Sequence, residues 1–243
     1  MPQPVRIAMW SGPRNISTAL MRSWGSRNDT IVIDEPFYAL FLERTGISHP
    51  GAAEVISCGE TDGGKIIDRL LAPLPAGKHI FYQKQMAHHL LPDIDRSWLN
   101  RVTNCFLIRD PAEVITSYIR KRERPSVEDL GFVEQLELFN FVRRKTDKIP
   151  LVVDAADILR DPRQTLDYLC AALGVGFDDA MLSWPVGFRE TDGIWAKYWY
   201  TEVANSTGFQ PYNRKTDLVP NDLRDLHDQC RQYYDELYQY RLH

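Results

Sequence analysis

Two stretches of this chain combine cations, hydroxyls and turn residues at spacings suited to holding an anion. In the first, Val5 to Ser11 reads as a short apolar strand, Gly12-Pro13 as a tight turn, Arg14 as a cation and Ser17-Thr18 as a hydroxyl pair opening a helix. A strand that hands over to a helix this way leaves backbone N–H groups unpaired, aimed at one spot with the positive end of the helix dipole. Arg14, Ser17 and Thr18 add side-chain donors there, so the stretch reads as a phosphate or sulfate cradle. A plain strand-to-helix turn that binds nothing uses many of the same residues. The second stretch is Arg109-Asp110-Pro111 through Ser117. Asp110 is a good N-cap and Pro111 a good first helical residue, which puts Arg109 at a strand end and Ser117 in the helix that follows. The two can reach one phosphate. Arg120 and Lys121 add charge three and four residues past Ser117 on the same face; a solvated basic helix face is the competing reading of residues 120–124.

These residues need a scaffold that points strand ends at one place. Apolar runs predict strands at Val5 to Ser11, Thr30 to Asp34, His79 to Lys84, Cys105 to Ile108 and Pro150 to Asp154. Helical spacing falls between them: about Ile16 to Ser26, Phe37 to Arg44, around Ile66 to Leu71, from Pro111, over Val127 to Lys145, and from Leu159 to a C′ Gly174. Strands alternating with helices predict an α/β fold, a three-layer sandwich with a central parallel sheet. Ligands bind such sheets beyond the carboxyl ends of the strands. Arg14, Glu35, Lys84, His88, His89 and Arg109 all follow predicted strand ends and so belong on one rim. Gly46 to Gly59 is the least patterned stretch and reads as a mobile loop or lid. A final helix from about Asn221 carries Leu223, Leu226, Cys230, Tyr233, Leu237 and Tyr240 as one apolar stripe, packed on the domain or, alternatively, on a second copy.

Composition narrows the function. The chain has 243 residues, 44% hydrophobic and 26% charged, and a net charge of −4, which argues against a duplex nucleic-acid binder. The cysteines, Cys58, Cys105, Cys170 and Cys230, are far apart and lack metal-ligand spacing, so they read as free thiols in a reducing compartment. No membrane-length apolar run or leader pattern is evident, and a cytoplasmic protein without a membrane partner is expected. The expected organisation is one domain over 1–243, with 176–243 a mainly helical extension packed on it.

The first loop is not a Walker A sequence: Gly12 is followed by Pro13-Arg14-Asn15-Ile16-Ser17-Thr18, and no Lys occupies the position that would reach the β/γ-phosphates. Together the two motifs resemble the sulfotransferase family that uses 3′-phosphoadenosine 5′-phosphosulfate. Arg14-Asn15-Ile16-Ser17-Thr18 is similar to that family's Lys/Arg-Ser-Gly-Thr-Thr, and Arg109 to Ser117 matches its strand-end Arg, Asp/Asn-Pro and Ser eight residues on. Asp154 to Gly174 resembles a later family stretch. Asp192-Gly193-Ile194-Trp195, with Lys197, resembles its Gly-x-x-Gly-x-Trp-Lys region near the nucleotide. The resemblance spans residues 5 to 200 and suggests a divergent, bacterial-type member.

The resemblance implies a P-loop nucleotide triphosphate hydrolase-like fold and sulfuryl transfer to a hydroxyl or amine of a small-molecule acceptor. It assigns Arg14, Asn15, Ser17 and Thr18 to the 5′-phosphosulfate, Arg109 and Ser117 to the 3′-phosphate, and Trp195 and Lys197 to the nucleotide. Sulfuryl transfer needs a proton acceptor, fixed positive charge and in-line alignment, with no obligatory metal. His89 and His88 are candidate bases, Glu35 is their rival, and Lys84 stabilises the transfer. Ile16, standing where the family has Gly, is expected either to widen the loop or to make the ligand sit differently. Trp184, Trp195, Tyr198, Trp199 and Tyr200 read as core packing or as the wall of an acceptor or adenine pocket. Acceptor loops are expected at Gly46 to Gly59 and Arg189 to Gly208. Two other functions fit: a P-loop kinase or related phosphotransferase with Asp154 or Asp110 as a Mg²⁺ ligand, and a non-catalytic nucleotide binder on the same fold. A monomer or a homodimer is expected.

Overall fold

The computed structural model describes residues 4–120, 124–213 and 219–243. Its frame is a parallel sheet of β1 (Val5–Ser11), β2 (Thr30–Asp34), β3 (Ile80–Met86), β4 (Thr103–Ile108) and β5 (Leu151–Asp154), in spatial order β2-β3-β1-β4-β5. Helix α1 (Ser17–Gly25) follows β1. Helices α2 (Tyr38–Thr45), α3 (Ala52–Cys58) and α4 (Gly63–Leu71) connect β2 to β3. Helices α5 (Pro111–Tyr118), α6 (Val127–Leu130) and α7 (Phe132–Thr146) connect β4 to β5, and α8 (Ala155–Arg160) and α9 (Pro162–Ala172) follow it. The C-terminal part holds the short α10 (Ala196–Trp199) and α11 (Thr201–Ala204), then α12 (Arg224–Tyr238).

Strand alternation sorts the core into two layers. Ala8, Trp10, Phe81, Phe106, Ile108 and Val152 meet Phe139, Val142, Cys230 and Leu237 on one face. Ile7, Met9, Tyr82, Cys105, Leu107 and Val153 meet Leu20, Trp24, Leu166 and Leu169 on the other. Continuous apolar strands are what a sheet covered on both faces requires. The fold is the expected α/β sandwich. Its connections leave β1 toward β2 and leave β4 toward β5, in opposite directions, so a crevice opens between the carboxyl ends of the neighbouring strands β1 and β4. The Arg14 loop and the Arg109 loop flank that crevice.

Three expectations need correction or limits. Gly46 to Gly59 contains α3, whose Val55 is buried against α2, so the stretch is not simply a loop. The helix expected over Val127 to Lys145 is broken at Gly131, which has φ 68°. The reason is close approach: a Cβ there would lie 3.1 Å from His88 Nδ1, and the Gly12 Cα is 3.6 Å away. Lys121 and its neighbours 122 and 123 lie outside the described residues. Helix α12 buries Cys230, Tyr234 and Leu237 against the chain's own layers, as the first reading of its stripe expects. Among the described residues no helix is long and apolar enough to cross a membrane.

Candidate active site

The β1–α1 turn is built by three anchors. Gly12 is required for space, because a Cβ would sit 2.6 Å from the Leu130 carbonyl oxygen. Asn15 donates from Nδ2 to the Leu107 carbonyl at 3.0 Å and accepts the Ile16 N–H on Oδ1 at 2.8 Å, so it ties the loop to β4 and serves as a brace. Buried Gln135 on α7 donates to the carbonyls of Trp10 and Leu107 at 3.1 and 2.9 Å, stitching β1 and β4 from above. Ile16 occupies the N-cap of α1 at φ −90° with no side-chain cap, and its side chain packs on the core. The position therefore needs no glycine. An isoleucine cannot satisfy the first N–H groups of the helix as Ser or Asp would, so those donors stay available to an anion. The left-handed residue of the turn is Arg14, at φ 56°.

Arg14 is also the hinge between the two motifs. Its Nε donates to Ser117 Oγ at 3.1 Å, and its carbonyl accepts from Arg109 Nη1 at 2.8 Å. Arg109 is held in turn by Glu113, whose Oε2 accepts from Nε at 3.0 Å, while Tyr212 donates to Glu113 Oε1 at 2.9 Å. Asp110 caps α5 through Ala112 N–H, as its sequence position predicts. Arg14, Ser17, Thr18, Arg109 and Ser117 line one cleft of about 580 Å³, together with Glu35, Lys84, His88 and His89.

The far end of the cleft is set by strand register. Asp34 and Lys84 are direct partners across the β2–β3 ladder, on the same face. Lys84, 1% exposed, donates to Asp34 Oδ1 at 2.9 Å, to Tyr200 Oη at 2.8 Å and to Glu35 Oε1. Burial pushes the Lys84 pKa down, but the Asp34 and Glu35 carboxylates outweigh it and hold the ammonium well above its ordinary range. Burial pushes the Glu35 carboxyl up, with Lys84 opposing and Asp34 reinforcing. His89 is buried between Tyr38, at 4.8 Å, and Phe41, at 4.6 Å, with its Nδ1 3.8 Å from Glu35 Oε2. Burial lowers the His88 pKa to about 4 and pushes His89 well below its usual value, so both rings are neutral near pH 7. These rings, Tyr38, Phe41, His49 and Trp199 form an aromatic wall, with Ile47 beside them.

Two assigned residues stand elsewhere. Lys197 is on the surface, paired with Glu54 at 2.6 Å, and lies outside the cleft lining. Trp195 folds back over Gly193, meets Tyr38 edge-on at 5.1 Å and donates from Nε1 to Tyr200 Oη at 3.1 Å, one layer behind the cleft. The strap that carries them is pinned by fully buried Arg22, which donates to Gly187 O at 2.6 Å and Asp192 Oδ2 at 2.7 Å. Of the C-terminal aromatics, Tyr200 and Trp199 reach the cleft; Trp184 packs on Phe209, and Tyr198 covers Gly51. Sequence reading missed Asp34, Gln135 and the carboxylates of Glu128, Asp129 and Glu134 on the α6–α7 wall, and it named Tyr200 only as a packing or pocket-wall residue. Only the Asp34-Glu35 doublet at a strand end carried a signal. Asp154 and Asp110, the alternative Mg²⁺ ligands, are engaged structurally: Asp154 caps Ala156 and accepts from Tyr234, and Asp110 pairs with Arg231. No group of three metal-ligating side chains occurs among the described residues.

A family model described as a sulfotransferase domain matches residues 5–238. The chain belongs to the sulfotransferase family. The chain is 34% identical over 237 residues to branched-chain-amino-acid aminotransferase-like protein 1 of Arabidopsis thaliana and 33% identical over 231 residues to protein 2 of that name. The matches cover 98% and 95% of this chain but only 42% and 41% of those proteins, so the chain spans less than half the length of these relatives. Among solved structures, the sulfotransferase domain from the curacin biosynthetic pathway aligns at TM-score 0.53 and 16% identity, covering 98% of this chain and 99% of that one. A sulfotransferase from Alicyclobacillus acidocaldarius aligns at 0.52 and 14%, covering 100% and 98%. At such identities the likeness shows a shared fold.

Proposed function

We propose that this chain moves a sulfuryl group from 3′-phosphoadenosine 5′-phosphosulfate to a hydroxyl or amine of a small-molecule acceptor. The observation that carries this reading is the Arg14–Ser117 hydrogen bond, with Arg109 bound to the Arg14 carbonyl. Two motifs about a hundred residues apart in sequence thereby make one anion-binding corner. That corner shares a cleft with a carboxylate and a buried ammonium. The donor set fits the nucleotide: cations and hydroxyls for two phosphate groups, and uncapped helix donors for the phosphosulfate. When bound, the nucleotide supplies an activated sulfuryl group on a phosphate leaving group.

The chain's own residues then have separate tasks. Arg14, Ser17, Thr18 and the first N–H groups of α1 hold the 5′-phosphosulfate and spread the charge that develops on the leaving phosphate. Arg109 and Ser117 hold the 3′-phosphate. Asn15, which also lines the cleft, keeps the loop in place. Glu35 accepts the acceptor's proton, since its Oε2 faces the cleft without a hydrogen-bond donor and burial makes it a stronger base than a surface carboxylate. His88 and His89 stay neutral and wall the acceptor beside Tyr38 and Phe41. The test is calorimetric titration with 3′-phosphoadenosine 5′-phosphate and with ATP, each with and without Mg²⁺. Binding of the bisphosphate without Mg²⁺ is expected. Its failure to bind, or Mg²⁺-dependent ATP binding in its place, overturns the reading.

A further inference from the structure

The closed end of the cleft holds one cation, two carboxylates and a phenol, and their hydrogen bonds can be counted to completion. The Lys84 ammonium has three protons and three partners: Asp34, Tyr200 and Glu35. Tyr200 has one proton, and its Oη lies 2.8 and 3.0 Å from the Asp34 oxygens but 3.4 Å from Glu35 Oε1, so the proton belongs with the nearer acceptor, Asp34 Oδ2. Its oxygen accepts from Lys84 and from the Trp195 indole at 3.1 Å. Asp34 Oδ2 also accepts the Gly193 N–H at 3.1 Å. Both Asp34 oxygens are therefore occupied by donors, and the side chain is 1% exposed. Glu35 is different. Its Oε1 meets Lys84, but Oε2 stands 3.8 Å from His89 Nδ1, beyond hydrogen-bond reach, and the side chain opens to the cleft.

We propose that Asp34, locked by Tyr200 and the Gly193 N–H, is the permanent counter-ion of Lys84, so that Glu35 can take up a proton without stranding a buried ammonium. Asp34 and Tyr200 are then positioning residues for the transfer. The inference rests on the sulfuryl-transfer reading above. In that step the acceptor's oxygen or nitrogen bonds to sulfur, and the bond from sulfur to the 5′-phosphate oxygen breaks with its electron pair going to the phosphate. The acceptor's proton passes to Glu35 Oε2.

The physical reason is charge balance in a place that water does not reach. If Lys84 had one carboxylate partner, protonating that partner would leave an unpaired buried cation, which is strongly disfavoured. With two carboxylates ionised the trio carries one net negative charge, and one proton brings it to neutrality, the state burial favours. That proton cannot settle on Asp34 without turning away donors from Lys84, Tyr200 and Gly193. Glu35 Oε2 has no donor to displace. The other groups facing Glu35 do not change this count: His89 from the turn after β3 is neutral, with neutral His88 beyond it, and Tyr38 of α2 stacks on His89.

The test uses the full chain without ligand. Protein labelled with ¹³C at the glutamate carboxyl carbon is titrated by NMR, and Glu35 is assigned by the signal lost in Glu35→Gln. In Asp34→Asn the ammonium has only Glu35 as counter-ion, so Glu35 is expected to titrate at least about one pH unit lower, a tenfold change in proton affinity. Melting temperatures supply the second arm. Glu35→Gln imitates the protonated carboxyl and is expected to melt within about 2 °C of the parent chain, whereas Asp34→Asn melts about 10 °C lower. Tyr200→Phe is expected to lower the melting temperature alone and to add less in the Asp34→Asn background. A Glu35 titration that is unmoved or raised in Asp34→Asn overturns the proposal, as does a Glu35→Gln protein as unstable as Asp34→Asn. Should Asp34→Asn fail to fold, Glu35→Gln decides: it must stay folded. None of these readouts needs the nucleotide, so a parent chain that fails to bind 3′-phosphoadenosine 5′-phosphate overturns the functional reading separately.

Discussion

Replacing Arg109 by alanine tests the anion corner most directly, because this side chain has two tasks. It presents charge where the 3′-phosphate is proposed to sit, and its Nη1 supports the Arg14 carbonyl at 2.8 Å. A hydrogen bond between ionised partners contributes about 1.5–3 kcal/mol. Arg14 holds φ 56°, a conformation costing a non-glycine residue about 1–2 kcal/mol, so a loop without its support relaxes and loosens the Arg14–Ser117 bond. Together the losses come to about 3–4 kcal/mol, a weakening of the bisphosphate complex by roughly 150- to 1000-fold. Ser117→Ala removes one hydroxyl and is expected to cost about 1 kcal/mol. The assay is calorimetric titration with 3′-phosphoadenosine 5′-phosphate, with thermal melts confirming that each variant is folded. Since Arg109 supports the Arg14 carbonyl directly, Arg14→Ala combined with Arg109→Ala is expected to lose less than the sum. A folded Arg109→Ala chain that binds within about threefold of the parent, under about 0.7 kcal/mol, refutes the reasoning.

Three further outcomes follow from the geometry. Gly12→Ala places a methyl group 2.6 Å from the Leu130 carbonyl, a backbone atom, so the β1 end and the α6–α7 junction must separate. Urea unfolding is expected to show a loss of about 1–3 kcal/mol. His88 has a folded pKa of about 4 against an ordinary 6.5, so below pH 6.5 the unfolded chain binds a proton that the folded chain refuses. Stability is therefore full above that pH and falls as pH drops toward about 4, by on the order of 3 kcal/mol from this ring, and urea midpoints for the parent and His88→Gln check it. Lys197→Ala is expected to leave bisphosphate affinity unchanged, because its ammonium faces Glu54 on the surface; a clear loss by calorimetry would put Lys197 back in the nucleotide site.

Local chemistry was the legible part. Each strand is a short apolar run, and Asp110-Pro111 starts α5 where capping predicts, because these signals act within one turn or one strand. The eight-residue step from Arg109 to Ser117 was readable because a strand end followed by a helix converts spacing into direction. Lys197 and Trp195 show the opposite case. Their stretch resembles a nucleotide-binding region, but the path of the strap is set by Arg22 and Asp34 from distant elements, and it turns Lys197 outward to Glu54. The break at Gly131 was hidden for the same reason. Its cause is the approach of Gly12 and His88 from two other parts of the chain.

By itself the sequence determined the layered parallel sheet, the cation-and-hydroxyl turn after β1 and the basic strand end after β4, because periodicity, turns and caps are short-range properties. Only the tertiary structure decided which residues meet. The β2–β3 ladder sets Asp34 against Lys84, the crevice between β1 and β4 brings Arg14 to Ser117, and the strap delivers Tyr200 to a buried ion pair. Those meetings depend on strand order and on long-range packing, and the proton chemistry of Glu35 depends on them in turn. A carboxylate's basicity is a property of its surroundings, and here the surroundings come from three separate stretches of the chain, around Asp34, Lys84 and Tyr200.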